Sequence, residues 1–261
     1  MSQIASSPLP PGAASPQQNL VRELARVSRL HEERGANPIL AGALERVAAW
    51  QALRLARVYR DLATQPRYAA AVAFFQTDLY GSADYSQRDA DLARVVPMMA
   101  KMLPARVIAT IAQAMELNAL SQELDRALLA RLPRADGYFS VAEYCKAYRR
   151  MGNRPARERQ IRLIAEIGTA IDGYVTKPLI RAALVMMRQP ARLAGLSQLH
   201  DFLERGFNAF HRMAGGKEFV ATIVARETAL MDAIFAGDTA PFADPMQTPV
   251  APASAATAPS S

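Results

Sequence analysis

Little in this chain is equipped to react. Its 261 residues include one cysteine (Cys145), one tryptophan (Trp50) and three histidines. A lone cysteine rules out a disulfide within the chain and makes a reducing cytoplasm the simplest compartment. It lies in VAEYCKAY, a plain helical pattern with nothing that marks a nucleophile. No run of eighteen apolar residues occurs, so no membrane span is expected. The opening MSQIASSPLPPGAASPQQ lacks the basic and apolar regions of a secretory signal. The motifs H-E-x-x-H and E-x-x-H, the phosphate-binding P-loop and G-x-S-x-G are all missing. No cofactor and no metal are therefore expected.

Lysine is also scarce, with only Lys101, Lys146, Lys177 and Lys217. The net charge of +7 rests on arginine, and alanine is abundant. That pairing reads as the codon bias of a GC-rich bacterium, so the charge alone does not argue for nucleic acid. Alternating β-branched runs are missing too, while i, i+3, i+4 patterns recur throughout. The sequence predicts an all-α, multi-helix bundle of about ten helices over residues 17–236. Pro/Ser/Ala-rich tails at 1–16 and 237–261 are expected to be disordered. A boundary between two helical subdomains near 133–139 and one continuous bundle both remain open. The helix expected over 105–132 is apolar on two faces, which predicts a central position. Ser140 and Glu143 form a capping box for the helix after it. A short helix is expected from Thr176–Pro178 to Arg188, with Pro190 and Gly195 as a break, and Ser197 is expected to cap the next helix.

The most distinctive stretch is 68–104. Tyr68, Val72, Phe75 and Leu79 share one helical face before Gly81. Ser86 and Asp89 then cap a second helix, whose stripe is Leu92, Val95, Met99 and Met102, bent at Pro97. Arg88 falls inside that stripe and requires a partner, because an unpaired buried charge is costly. Asp91, Asp84 and Asp78 are the candidates. An internal clasp between the helices is the plainer reading, and an anion or small-ligand pocket near Arg88 is the rival.

Three further constellations carry weaker signals. Lys146, Arg149, Arg150, Arg154, Arg157, Arg159 and Arg162 make a basic segment that is either a solvated face or an anion and nucleic-acid surface. His200, Glu204, Asn208 and His211 share a helix stripe. The two histidines are about 16 Å apart along the axis, too far to share one ion, so a helix–helix boundary is expected there. Arg22, Arg26 and Arg29 make a basic face on the first helix, which either packs on the bundle or meets an anionic surface.

The run FFQTDLYG followed by DYSQRDADLARVVPMMAKMLP resembles a family of bacterial, mainly proteobacterial, helical proteins known as a domain of unknown function. The likeness extends through ELNALSQELD and PARLAGLSQLHDFLERGFNAF. It implies an all-α fold and a bacterial cytosolic origin, and it transfers no site. The leading expectation is a non-enzymatic interaction or adaptor protein with a protein partner or a homo-oligomeric state. Ligand binding near Arg88 and nucleic-acid association through 146–162 are the alternatives.

Overall fold

The computed structural model describes residues 14–79, 91, 92, 94, 104–133 and 139–246. Among them there are ten α-helices and no strand. They are α1 (Pro16–Gly35), α2 (Pro38–Val58), α3 (Arg60–Ala63), α4 (Pro66–Phe74), α5 (Ala105–Leu129), α6 (Val141–Arg150), α7 (Arg154–Val175), α8 (Pro178–Leu193), α9 (Ser197–Arg212) and α10 (Lys217–Ala236). A π-helical turn, Phe75–Leu79, extends α4.

Local chemistry sets most of the helix starts. Ser15 and Gln18 form a full capping box on α1, and Ser140 and Glu143 form another on α6. Asn37 caps α2, and Pro38, Pro66 and Pro178 occupy first-turn positions where a missing N–H costs nothing. Ser197 is the first residue of α9 rather than its cap, and no side chain caps that helix.

Long helices build the core. α5 runs along α1 and also meets α2, α6 and α7. Its Ile108, Ala112 and Met115 pack with Leu20 and Leu24 of α1. One turn further round, Leu120 and Leu124 meet Leu163 of α7. This two-sided burial is why α5 reads as apolar on two faces. Leu128 of α5 and Tyr144 of α6 lie in one aromatic-rich cluster with Trp50. α10 crosses α7 closely: a Cβ on Gly168 would lie 2.6 Å from the Val220 side chain. α9 approaches α4 in the same way, with Phe74 over Gly206.

Two stretches differ from expectation. α8 does not stop at Arg188 but continues through Pro190 to Leu193. The proline removes one donor near the helix end, and the turn closes beyond it through the Leu196 N–H on the Ala191 carbonyl and the Gly195 N–H on the Arg192 carbonyl. Gly195 takes the positive φ of 70° that this ending needs. Residues 237–246, expected to be disordered, fold back on the bundle instead. Phe242 stands edge-on to Trp50 at 6.0 Å and to Tyr144 at 6.1 Å, which gives an otherwise Pro/Ala-rich segment an apolar anchor.

Candidate interaction face

Among the described residues, α8 is held from one side. Ile180 and Leu184 pack against the core cluster of α4, α9 and α10, and Ala191 is buried. Its neighbours are α7 and α9. Arg188 forks onto Glu204 of α9, with Nε 2.9 Å from one carboxylate oxygen and Nη2 closer still to the other. The Arg188 hydrogen bonds hold the Glu204 carboxyl below the usual carboxylate range. At the C-terminal end, Arg94 Nη2 donates to the carbonyls of Ala194 and Gly195, both at 3.4 Å.

At about 100° per residue, the core-facing residues 180, 184 and 191 occupy one arc of α8, and Arg181, Arg188 and Arg192 a second. The third arc holds Leu179, Ala182, Ala183, Met186, Gln189, Pro190 and Leu193, all exposed. It carries no charge of either sign. Leu179 is 84% exposed, Met186 76% and Leu193 88%. Large apolar side chains scattered singly on a surface are ordinary, but an aligned row is not. A cleft of about 190 Å³ lies between α8 and α9, lined by Arg181, Leu184, Val185, Arg188, Glu204, Phe207 and Asn208. The polar stripe of α9 therefore lies at a helix–helix boundary, with Glu204 and Asn208 at this cleft. His211 Nδ1 sits 3.1 Å from the Val175 carbonyl oxygen, and His200 is buried.

The seven basic positions of 146–162 do not form one surface. Arg149 Nη1 donates to the carbonyls of Ile234 and Asp238, closing the end of α10. Arg154 bonds Glu158 and Asp232 and lies over the Phe235 ring. Arg159 forks onto Glu116 and reaches Glu166. Arg157 points inward, 5% exposed, over the Tyr148 ring at 4.6 Å and bonded to Gln160. Lys146, Arg150 and Arg162 remain exposed.

Arg88 and Asp84 lie outside the described residues, as does the side chain of Asp78. Asp91 is 2% exposed and accepts from Arg94 Nη2 at 3.2 Å, so this aspartate of the stretch is a buried, bonded group. Leu92 beside it packs with Leu20, Ile108 and Leu199. On α1, Arg26 forks onto Glu123 of α5 and bonds Glu23, Arg22 bonds Glu23, and Arg29 lies 3.9 Å from Glu33. Two of the three arginines on that basic face thus pair with a buried glutamate, and Arg26 ties α1 to α5.

Burial pushes the Cys145 thiol up to about 11, away from reactivity. Among the described residues, no group of three His, Cys, Asp or Glu side chains is placed to hold a metal ion. No described helix is long and apolar enough to cross a membrane. A buried polar seam runs through the interior. Arg54 bonds Glu227 at 3.1 and 3.3 Å, and Tyr59 donates to Glu227 at 2.7 Å. Arg54, Tyr59 and Glu227 line a small cleft of about 40 Å³ beside Phe75.

The described residues form an all-α bundle in which α8 presents an exposed, uncharged face. The chain belongs to the DUF8198 family, a domain of unknown function, which matches residues 30–241. No curated protein and no solved structure matches it.

A helix ending at Arg188, as the sequence predicts, excludes Leu193 and leaves the α8 face unassembled. The signal was nonetheless there: Leu179, Met186 and Leu193 recur every seven residues, which keeps them on one side of a helix.

Proposed function

We propose that this chain is a non-enzymatic helical interaction protein, working in a bacterial cytoplasm, that docks a protein partner on the uncharged face of α8. The supporting observation is the exposed row Leu179, Met186 and Leu193 on a helix whose opposite side is built into the core. Apolar surface left in water forgoes about 25 cal/mol per Å² that a covering partner would recover. The basic segment offers weaker support for nucleic acid, because its central arginines are used in tying α6 and α7 to α10 and α7 to α5.

A photo-crosslinking residue tests this reading. Met186→p-benzoylphenylalanine is expected to form a protein adduct in the cells that make the chain, whether with another protein or with a second copy. The same probe at Arg162, exposed on α7, is expected to form none. Leu179→Ser with Leu193→Ser is expected to abolish the Met186 adduct. Equal yields from the two probe positions, or an adduct that survives both serines, would sink the reading.

A further inference from the structure

Resting on that reading of α8, we infer that the partner is a second copy of this chain, with α8 packed antiparallel on α8 across a two-fold axis at Met186. The arc is uncharged, so it offers nothing to an acidic peptide, a phosphate backbone or an anionic lipid surface. Its electrostatic complement is another uncharged apolar surface, and its own copy is one. The arginine stripe of Arg181, Arg188 and Arg192 lies on the far side of the helix, so closing the arcs on each other brings no like charges together.

The spacing is self-complementary. A closed dimer contact is isologous: if residue i meets residue j, then j meets i. Leu179 and Leu193 each stand seven residues from Met186, about 10.5 Å along the axis. An antiparallel copy therefore sets Leu179 against Leu193 at both ends and Met186 against itself. Between these anchors Ala182 falls opposite Pro190 and Ala183 opposite Gln189. Small side chains at those steps let the helices approach to the 8–10 Å typical of packed pairs, about the distance at which leucine and methionine interdigitate. A single helix pair of 16 residues buries less than a standard interface of about 1,600 Å². The dimer is thus of the reversible, concentration-dependent kind.

Cysteine scanning on the full chain tests the geometry, and Cys145, fully buried, does not interfere. Under mild oxidation Met186→Cys is expected to form a disulfide-linked dimer with itself. Leu179→Cys alone is expected to form none, since its mate lies about 21 Å away. A mixture of Leu179→Cys and Leu193→Cys is expected to form the mixed dimer. Sedimentation equilibrium is expected to show wild-type dimers, with Met186→Glu weakening them at least about a hundredfold by placing two carboxylates on the axis. Self-linking at Leu179→Cys, or a dimer indifferent to Met186→Glu, overturns the proposal. So does a wild-type monomer at every concentration. A monomer whose Met186 probe still captures a different protein in cells overturns self-association alone and leaves the docking face standing. A monomer with no adduct overturns both.

Discussion

Asp125 of α5 lies among α2, α5 and α7, where Gln51 donates to its carboxylate at 2.7 Å. It keeps some accessible area yet is densely surrounded by protein. Burial pushes its carboxyl up, and the Gln51 hydrogen bond and the charge of Arg157 only partly offset that. A carboxyl raised on folding holds its proton more tightly in the native state. Its contribution to stability is complete below the unfolded value, about 3.9, and is lost as pH rises through the folded value. Asp125→Asn keeps an acceptor for Gln51 and cannot ionise. The expected outcome is a higher urea midpoint than wild type at pH 7, with the difference vanishing below about pH 3.5. Equal midpoints at pH 7 would show that Arg157 fully compensates the charge. Asp61 and Glu204 have the opposite sign: Arg226 and Arg188 hold them low, so what they contribute is present above the unfolded value and fades on acidification. Both are surface pairs and each is worth little. The inward turn of Arg157 was not legible in the sequence. Seven cations in seventeen residues look alike on paper, and only packing decides which one lies over Tyr148 and which three face water.

At the scale of elements, the helices were legible wherever side-chain chemistry marks their ends. Ser140 with Glu143 and the two apolar faces of α5 both translate directly into structure. The misreadings share one cause. The π-turn after α4 and the continuation of α8 through Pro190 are settled by what packs alongside, and tertiary contact overrides local preference. Close crossings belong to the same class. Gly168 leaves no room for a β-carbon between α7 and α10, because Val220 Cγ2 would be 2.6 Å away. Gly168→Ala is therefore expected to destabilise the fold by about 1–3 kcal/mol, despite alanine's better helix propensity. Val220→Ala creates space at that point, and the double variant is expected to recover part of the loss. Denaturant midpoints of the four proteins decide it: simple additivity of the two single losses would mean that Gly168 and Val220 do not share the strain.

For the whole molecule, the all-α class followed from composition and periodicity, and the interaction face did not. A 3.6-residue period says that a helix has an apolar side but not whether this chain covers it. Six of the seven residues on the outer arc of α8 are as apolar as a core stripe, and only the three-dimensional arrangement leaves them outside. The same limit applied in reverse at the C-terminal segment. Residues 237–246 have the composition of a tail, yet one aromatic residue anchors them, with Arg54 5.8 Å from the Phe242 ring. Trp50 is 4% exposed, stacked on Tyr144 at 4.5 Å, with Phe242 against it. It is also the only tryptophan of the chain, so its emission reports on this one corner. Phe242→Ala takes away an edge contact and admits water to the indole and to the Arg54–Glu227 pair. The expected result is a red-shifted emission, stronger quenching by acrylamide and a loss of about 1–3 kcal/mol in stability. Removing everything after Ala236 is expected to reproduce the spectral change and add the loss of the Arg149 bond to Asp238. An unshifted spectrum in both variants would mean that Phe242 does not cover Trp50 in solution, and that the bundle closes at α10.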